Sequence, residues 1–97
     1  MTPAEILAGL EDCSIQSFHH ADHVAAAWEA LRQEPFQDAA GRICRALLRY
    51  ATHQGKASRY DEALTLRYLR AIDQRRGTLS WPEFRAAFPE LFRRDLG

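Results

Sequence analysis

The feature that most constrains the fold of this chain is the spacing of its apolar residues, which recur every three or four positions through most of the 97 residues. This period matches an α-helix, because side chains on a strand alternate between two faces. A chain of this length is expected to form one domain over residues 1–97, since two separate cores would each be too small to fold alone. The sequence therefore predicts an all-α fold whose helices share a single core.

Residues that start and stop helices divide the chain into segments. Thr2 and Ser80 each stand three positions before a glutamate, the capping-box pattern, with a proline in the following turn. Between these two segments the apolar stripes predict three longer helices, over about 19–33, 35–54 and 59–75, the first capped by Ser17 and the last by Ser58. The predicted architecture is a compact bundle of four main helices plus a short fifth, which Pro89 breaks and which ends near residue 94.

Charge is distributed unevenly although the formal net charge is zero. Residues 1–40 carry a balance of −6 and residues 41–97 a balance of +6. Two interpretations remain open: the halves face each other within the fold, which we favour, or each half attracts a partner of opposite charge. The two cysteines show no paired spacing, and no segment has the pattern of an export signal or a membrane span. We therefore expect a cytoplasmic location and no membrane partner.

Two histidines carry the strongest chemical signal. His20 and His23 are three positions apart at the head of the second predicted helix, so their rings emerge on one side about a turn apart and can bind one metal ion. Asp61 and Glu62, at the start of the fourth predicted helix, are the candidates for a further ligand, because that helix is expected to pack against the second. The sequence thus predicts His20, His23 and Asp61 as ligands of a divalent ion such as zinc, iron or manganese.

A family resemblance is carried by the pattern F-x-H-x-x-H-x-x-x-A-W, formed by Phe18, His20, His23, Ala27 and Trp28, followed by G-K-x-x-x-Y at residues 55–60. Over residues 18–68 the chain resembles an uncharacterised bacterial family of small all-helical proteins. In that family a Y-H-E-T-I-T-like segment stands where this chain has residues 60–65. The resemblance implies that the two histidines pair with a third histidine on the fourth helix. This chain has Asp61 at that position, a change that alters metal preference or marks a member that has lost the site.

Two chemistries fit these residues. A metal ion held by His20, His23 and Asp61 would activate a water molecule, with Glu62 as the general base. Without a metal, His20 or His23 would itself exchange protons with a small molecule beside the two carboxylates. His23 and Glu62 are accordingly the candidate catalytic residues. Signatures of common hydrolases and nucleotide-binding proteins are absent from the sequence.

Two alternatives stay open beside a His/carboxylate site. The histidines could be structural, with an exposed helix face that binds a partner protein or a second copy of this chain. Nucleic-acid binding is the less favoured alternative, because the spacing of the arginines that support it is also typical of a solvent-exposed helix face. These arginines are Arg42, Arg45, Arg49, Arg67, Arg70, Arg75 and Arg76.

Overall fold

A computed structural model describes residues 1–92, and no strand occurs among them. Five α-helices follow one another along the chain, with the bounds α1 Pro3–Glu11, α2 His20–Gln33, α3 Phe36–His53, α4 Glu62–Arg76 and α5 Trp81–Ala87. Two short 3-10 helices complete the order, at Ala57–Arg59 before α4 and at Pro89–Phe92 after α5. The all-α prediction is confirmed for the part of the chain that the structure describes.

The two predicted capping boxes are both present. The backbone N–H of Glu5 donates to Oγ1 of Thr2, and the N–H of Thr2 donates back to the Glu5 carboxylate. Ser80 and Glu83 exchange the same pair of bonds at the start of α5. Each box satisfies two amides that have no partner within the helix.

The predicted caps of α2 and α4 were wrong. The cap residue of α2 is His19, whose backbone N–H donates to Oδ2 of Asp22 at 2.9 Å, while Ser17 bonds only the His19 ring. The cap of α4 is Asp61, whose Oδ1 accepts from the N–H of Leu64 at 3.0 Å. The residues around Ser58 form a 3-10 turn instead, so α4 begins three positions later than expected.

Helix α2 is the central element of the fold, in contact with α1, α3 and α4. Residues 24–31 of this helix are all buried, so the helix is covered by other elements on every side and not only along one apolar stripe. Alanines at four of these positions let neighbouring helices approach closely. The buried Glu29 is satisfied on its own helix by Arg32 and Gln33, whose donor nitrogens lie 2.6 Å from its Oε2.

Charged side chains join the two halves of the chain. The Arg42 guanidinium donates to both carboxylate oxygens of Glu11, at 2.7 and 2.8 Å, and to Oε1 of Glu34 at 2.6 Å. Arg49 donates to the backbone carbonyl of Glu11. At these residues, the acidic first half and the basic second half of the sequence face each other within the fold.

The segment that follows α4 closes the core. The left-handed backbone of Gly77, at φ 45°, ends α4. Phe84 and Leu91 are fully buried, and Pro89 is the first residue of the last 3-10 helix, one position after the cap of α5 at Phe88. The predicted end of this element near Arg94 lies outside the described residues. None of the helices described is long and apolar enough to cross a membrane.

Candidate functional site

An open cleft of about 690 Å³ lies among α2, α3 and α4 and the loops that precede α2 and α4. Its volume falls in the range of small-molecule sites. Aliphatic side chains of the core line part of it: Val24, Ala27, Ile43, Leu47, Leu69 and Ile72. His20, His23 and Asp61 also line the cleft, so the histidine pair and the acid predicted to join it border the same space although about 40 residues separate them.

His20 is held by contacts from two other elements. Its Nε2 lies 3.0 Å from the backbone carbonyl of Leu91, in the last 3-10 helix, and its ring makes a T-shaped contact with the Tyr68 ring, with 4.9 Å between centroids. A carbonyl only accepts hydrogen bonds, so Nε2 must carry the proton and Nδ1 is the accepting nitrogen of the neutral ring. No residue among 1–92 hydrogen-bonds to this Nδ1. The fold therefore fixes one tautomer of a histidine that lines a cleft.

His23 stands one turn further along α2 and is more exposed. Its ring packs on Phe18 at 4.3 Å between centroids, and its centroid lies 6.3 Å from that of His20. Phe18 in turn contacts Tyr50 of α3, whose hydroxyl donates to the backbone carbonyl of Ile15 at 2.8 Å. Tyr50 thus fixes the loop before α2, and this loop supports His23.

The fourth helix contributes differently from the prediction. Asp61 and Leu64, at its start, are both exposed, and Leu64 retains 38% of its accessible surface. The reason is that the first turns of α4 border the open cleft, whereas Leu69 and Ile72 further along enter the core. Asp61 lines the cleft, but one of its carboxylate oxygens already caps the helix.

Glu62, predicted as a general base, is not among the residues that line the cleft. Its Oε1 accepts a long hydrogen bond, 3.5 Å, from the hydroxyl of Tyr60. Burial, together with a hydrogen bond to the Cys44 thiol and the proximity of Glu62, raises the pKa of Tyr60 well above its ordinary value. Tyr60 consequently remains a neutral hydrogen-bonding group at physiological pH.

Within residues 1–92, no three side chains of the metal-ligating kinds His, Cys, Asp and Glu come together closely enough to hold a metal ion. The three predicted ligands, His20, His23 and Asp61, therefore line one cleft, but they do not lie close enough together to coordinate one ion. A metal ion at this site stays a prediction, because the donation from His20 to a carbonyl also matches the way ligating histidines are oriented in metal sites.

Four residues of the site were not predicted from the sequence as functional candidates. Leu91 acts through its backbone carbonyl, which no side-chain pattern reveals. Tyr68 packs against His20, a contact that the sequence pattern does not indicate. Lys56 and Arg59 line the cleft from the segment between α3 and α4, and their position two to five residues before Asp61 was the signal available.

No family model matches this chain, and no significant match exists among curated proteins or solved structures.

Proposed function

We propose that this protein binds a small organic molecule in the cleft between α2 and α4, and that His20 exchanges a proton with the bound molecule. The observation that carries the proposal is the placement of His20 in the cleft wall with Nε2 committed to the Leu91 carbonyl. A histidine fixed in one tautomer presents a defined acceptor, which a proton-transfer partner requires.

The surroundings of His20 support this role. Buried aliphatic side chains border the cleft, and polar groups converge on it from the loop before α2, from α2 itself and from the start of α4. Ligand sites commonly combine an apolar lining with a few placed polar groups. His23 and Asp61 are the two further polar groups that the proposal assigns to ligand contact, with His23 as the second candidate for proton exchange.

The scaffold in this proposal is a bundle of α1 to α4, to which α5 and the 3-10 helix at Pro89–Phe92 add a short fifth element. The support for it is that this last 3-10 helix contacts both α2 and α4, the two helices that carry His20 and Asp61. The fold would then hold the catalytic ring from the core side and leave the opposite side to the ligand.

Fewer arginines are available for the nucleic-acid alternative than the sequence indicated. Arg42, Arg49, Arg75 and Arg76 each have a partner within the chain, which is a carboxylate or a backbone carbonyl. A nucleic-acid surface would need these cations to face phosphates. Small-molecule binding makes no such demand on them, and it is the function that we retain.

Ring-nitrogen NMR on protein labelled with ¹⁵N-histidine tests the proposal. We expect the neutral ring of His20 to carry its proton on Nε2, and fragments with an O–H or N–H donor to shift its Nδ1 resonance together with the backbone amides of Thr65 and His23. The variant His20→Gln keeps a donor for the Leu91 carbonyl and removes the proton-exchanging nitrogen. The matched control is His53→Gln, at an exposed histidine outside the cleft. A neutral His20 protonated on Nδ1, or fragment binding confined to other surfaces, would contradict the proposal.

A further inference from the structure

The ionised groups that line the cleft are mainly cationic. Lys56 and Arg59 border it from the segment between α3 and α4, and among the lining residues within 1–92 Asp61 is the one carboxylate. Both basic side chains are exposed, and neither has a carboxylate partner at salt-bridge distance within residues 1–92. Asp61 already accepts a backbone hydrogen bond as the cap of α4, which occupies one of its oxygens.

The uncharged part of the same lining favours a ligand with an apolar body. The rings of Phe18, Tyr50, Tyr60 and Tyr68 line the cleft beside aliphatic side chains from α2, α3 and α4. Aromatic side chains offer large apolar contact areas and edges that pack against other rings. A purely inorganic anion would leave this surface in water, while an uncharged hydrocarbon would make no use of the two cations.

We propose that the ligand of the cleft is a small organic anion. Its aromatic or aliphatic body packs on the aromatic side chains that line the cleft, and its carboxylate-like head group lies beside Lys56 and Arg59. This inference rests on the proposed function, because it names the ligand class of the same cleft. The two cations, unpaired by any carboxylate in the described part of the chain, supply the charge preference, and the apolar lining supplies most of the contact area.

Three probes that share one body and differ only in the head group test the charge preference. These are 4-phenylbutyrate, 4-phenylbutan-1-ol and 4-phenylbutylamine, each titrated into the native chain by ¹H–¹⁵N NMR at low ionic strength. We expect the carboxylate to bind about tenfold more tightly than the amine, with the alcohol between them. Raising the salt concentration to about 0.5 M should weaken the carboxylate about threefold and leave the alcohol unchanged. Inorganic phosphate alone should produce no saturable shifts in the cleft.

A pair of double variants assigns the preference to particular residues. Lys56→Gln with Arg59→Gln removes both cations of the cleft, and we expect it to lower the affinity for the carboxylate to about that for the alcohol. Arg45→Gln with Arg70→Gln removes two exposed cations that do not line the cleft, so it controls for the change in net charge. This control should keep the preference of the native chain within about twofold.

The outcomes separate this inference from the proposed function. Cleft shifts with all three probes, but with the amine bound as tightly as the carboxylate, would overturn the inference and leave the small-molecule site standing. The inference is also overturned, with the site again standing, if the cleft variant keeps the preference of the native chain. If none of the three probes shifts the resonances of the cleft, both the ligand class and the proposed function are overturned.

Discussion

Replacing Leu91 with alanine tests how the last 3-10 helix supports both the core and His20. The Leu91 side chain is fully buried, in a segment that packs on α2 and α4. Truncating a fully buried leucine leaves a cavity and costs about 3 kcal/mol of unfolding free energy. For a chain of this size, that loss lowers the melting temperature by about 15 °C. The effect is large because small domains have only about 5 to 15 kcal/mol of total stability.

Urea unfolding and thermal melts, both followed by circular dichroism, measure this loss. The matched control is Leu48→Ala, at a leucine that retains 44% of its surface, which should cost less than about 1 kcal/mol. Histidine ¹⁵N spectra give a second readout, because a loosened Leu91 carbonyl should leave the His20 ring as a mixture of its two neutral tautomers. Equal stability losses at positions 91 and 48 would refute the core role of this segment. A destabilised variant whose His20 remains purely Nε2-protonated would refute the anchoring role.

Three further predictions concern the polar contacts. The hydrogen bonds from Arg42, strengthened by its charge, lower the pKa of Glu11 against the opposing effect of burial. A carboxyl group whose pKa is lowered by folding stabilises the protein at a pH above its ordinary pKa of 4.5, and this stability is lost as the pH falls through the pKa of the folded state. Urea titrations should therefore show Glu11→Gln to cost about 1 kcal/mol at pH 7 and nothing near pH 2, and a cost independent of pH would contradict the ion pair. Asp61→Ala should cost about 1 kcal/mol through loss of the helix cap, whereas Asp61→Asn should cost less than half of that; equal losses would show that the charge, and not the cap, is what matters. The metal form of the site predicts that added zinc, iron or manganese raises the melting temperature and that His20→Ala with His23→Ala abolishes the rise. An unchanged melting temperature would contradict it, in line with the lack of three converging ligands within residues 1–92.

Much of the candidate site follows from sequence spacing. A separation of three residues on a helix places His20 and His23 on one side, and the expected contact of the second and fourth helices brings Asp61 to the same cleft. The prediction could not include the anchor of His20, because the Leu91 carbonyl lies 71 residues away in the sequence and any residue type would supply it. Glu62 is not among the residues that line the cleft, while its neighbour Asp61 both caps α4 and lines the cleft.

Local signals determined the helices of this protein, since capping boxes, prolines and glycines act on the few residues beside them. Thr2, Ser80 and Gly77 all behave in the structure as their neighbours in sequence indicate. Only the tertiary structure decided that α2 lies at the centre, because its alanine-rich surface tolerates neighbours on all sides and specifies none of them. It also decided that the cations Lys56 and Arg59 border the histidine cleft, since that placement depends on how α3 and α4 pack around α2.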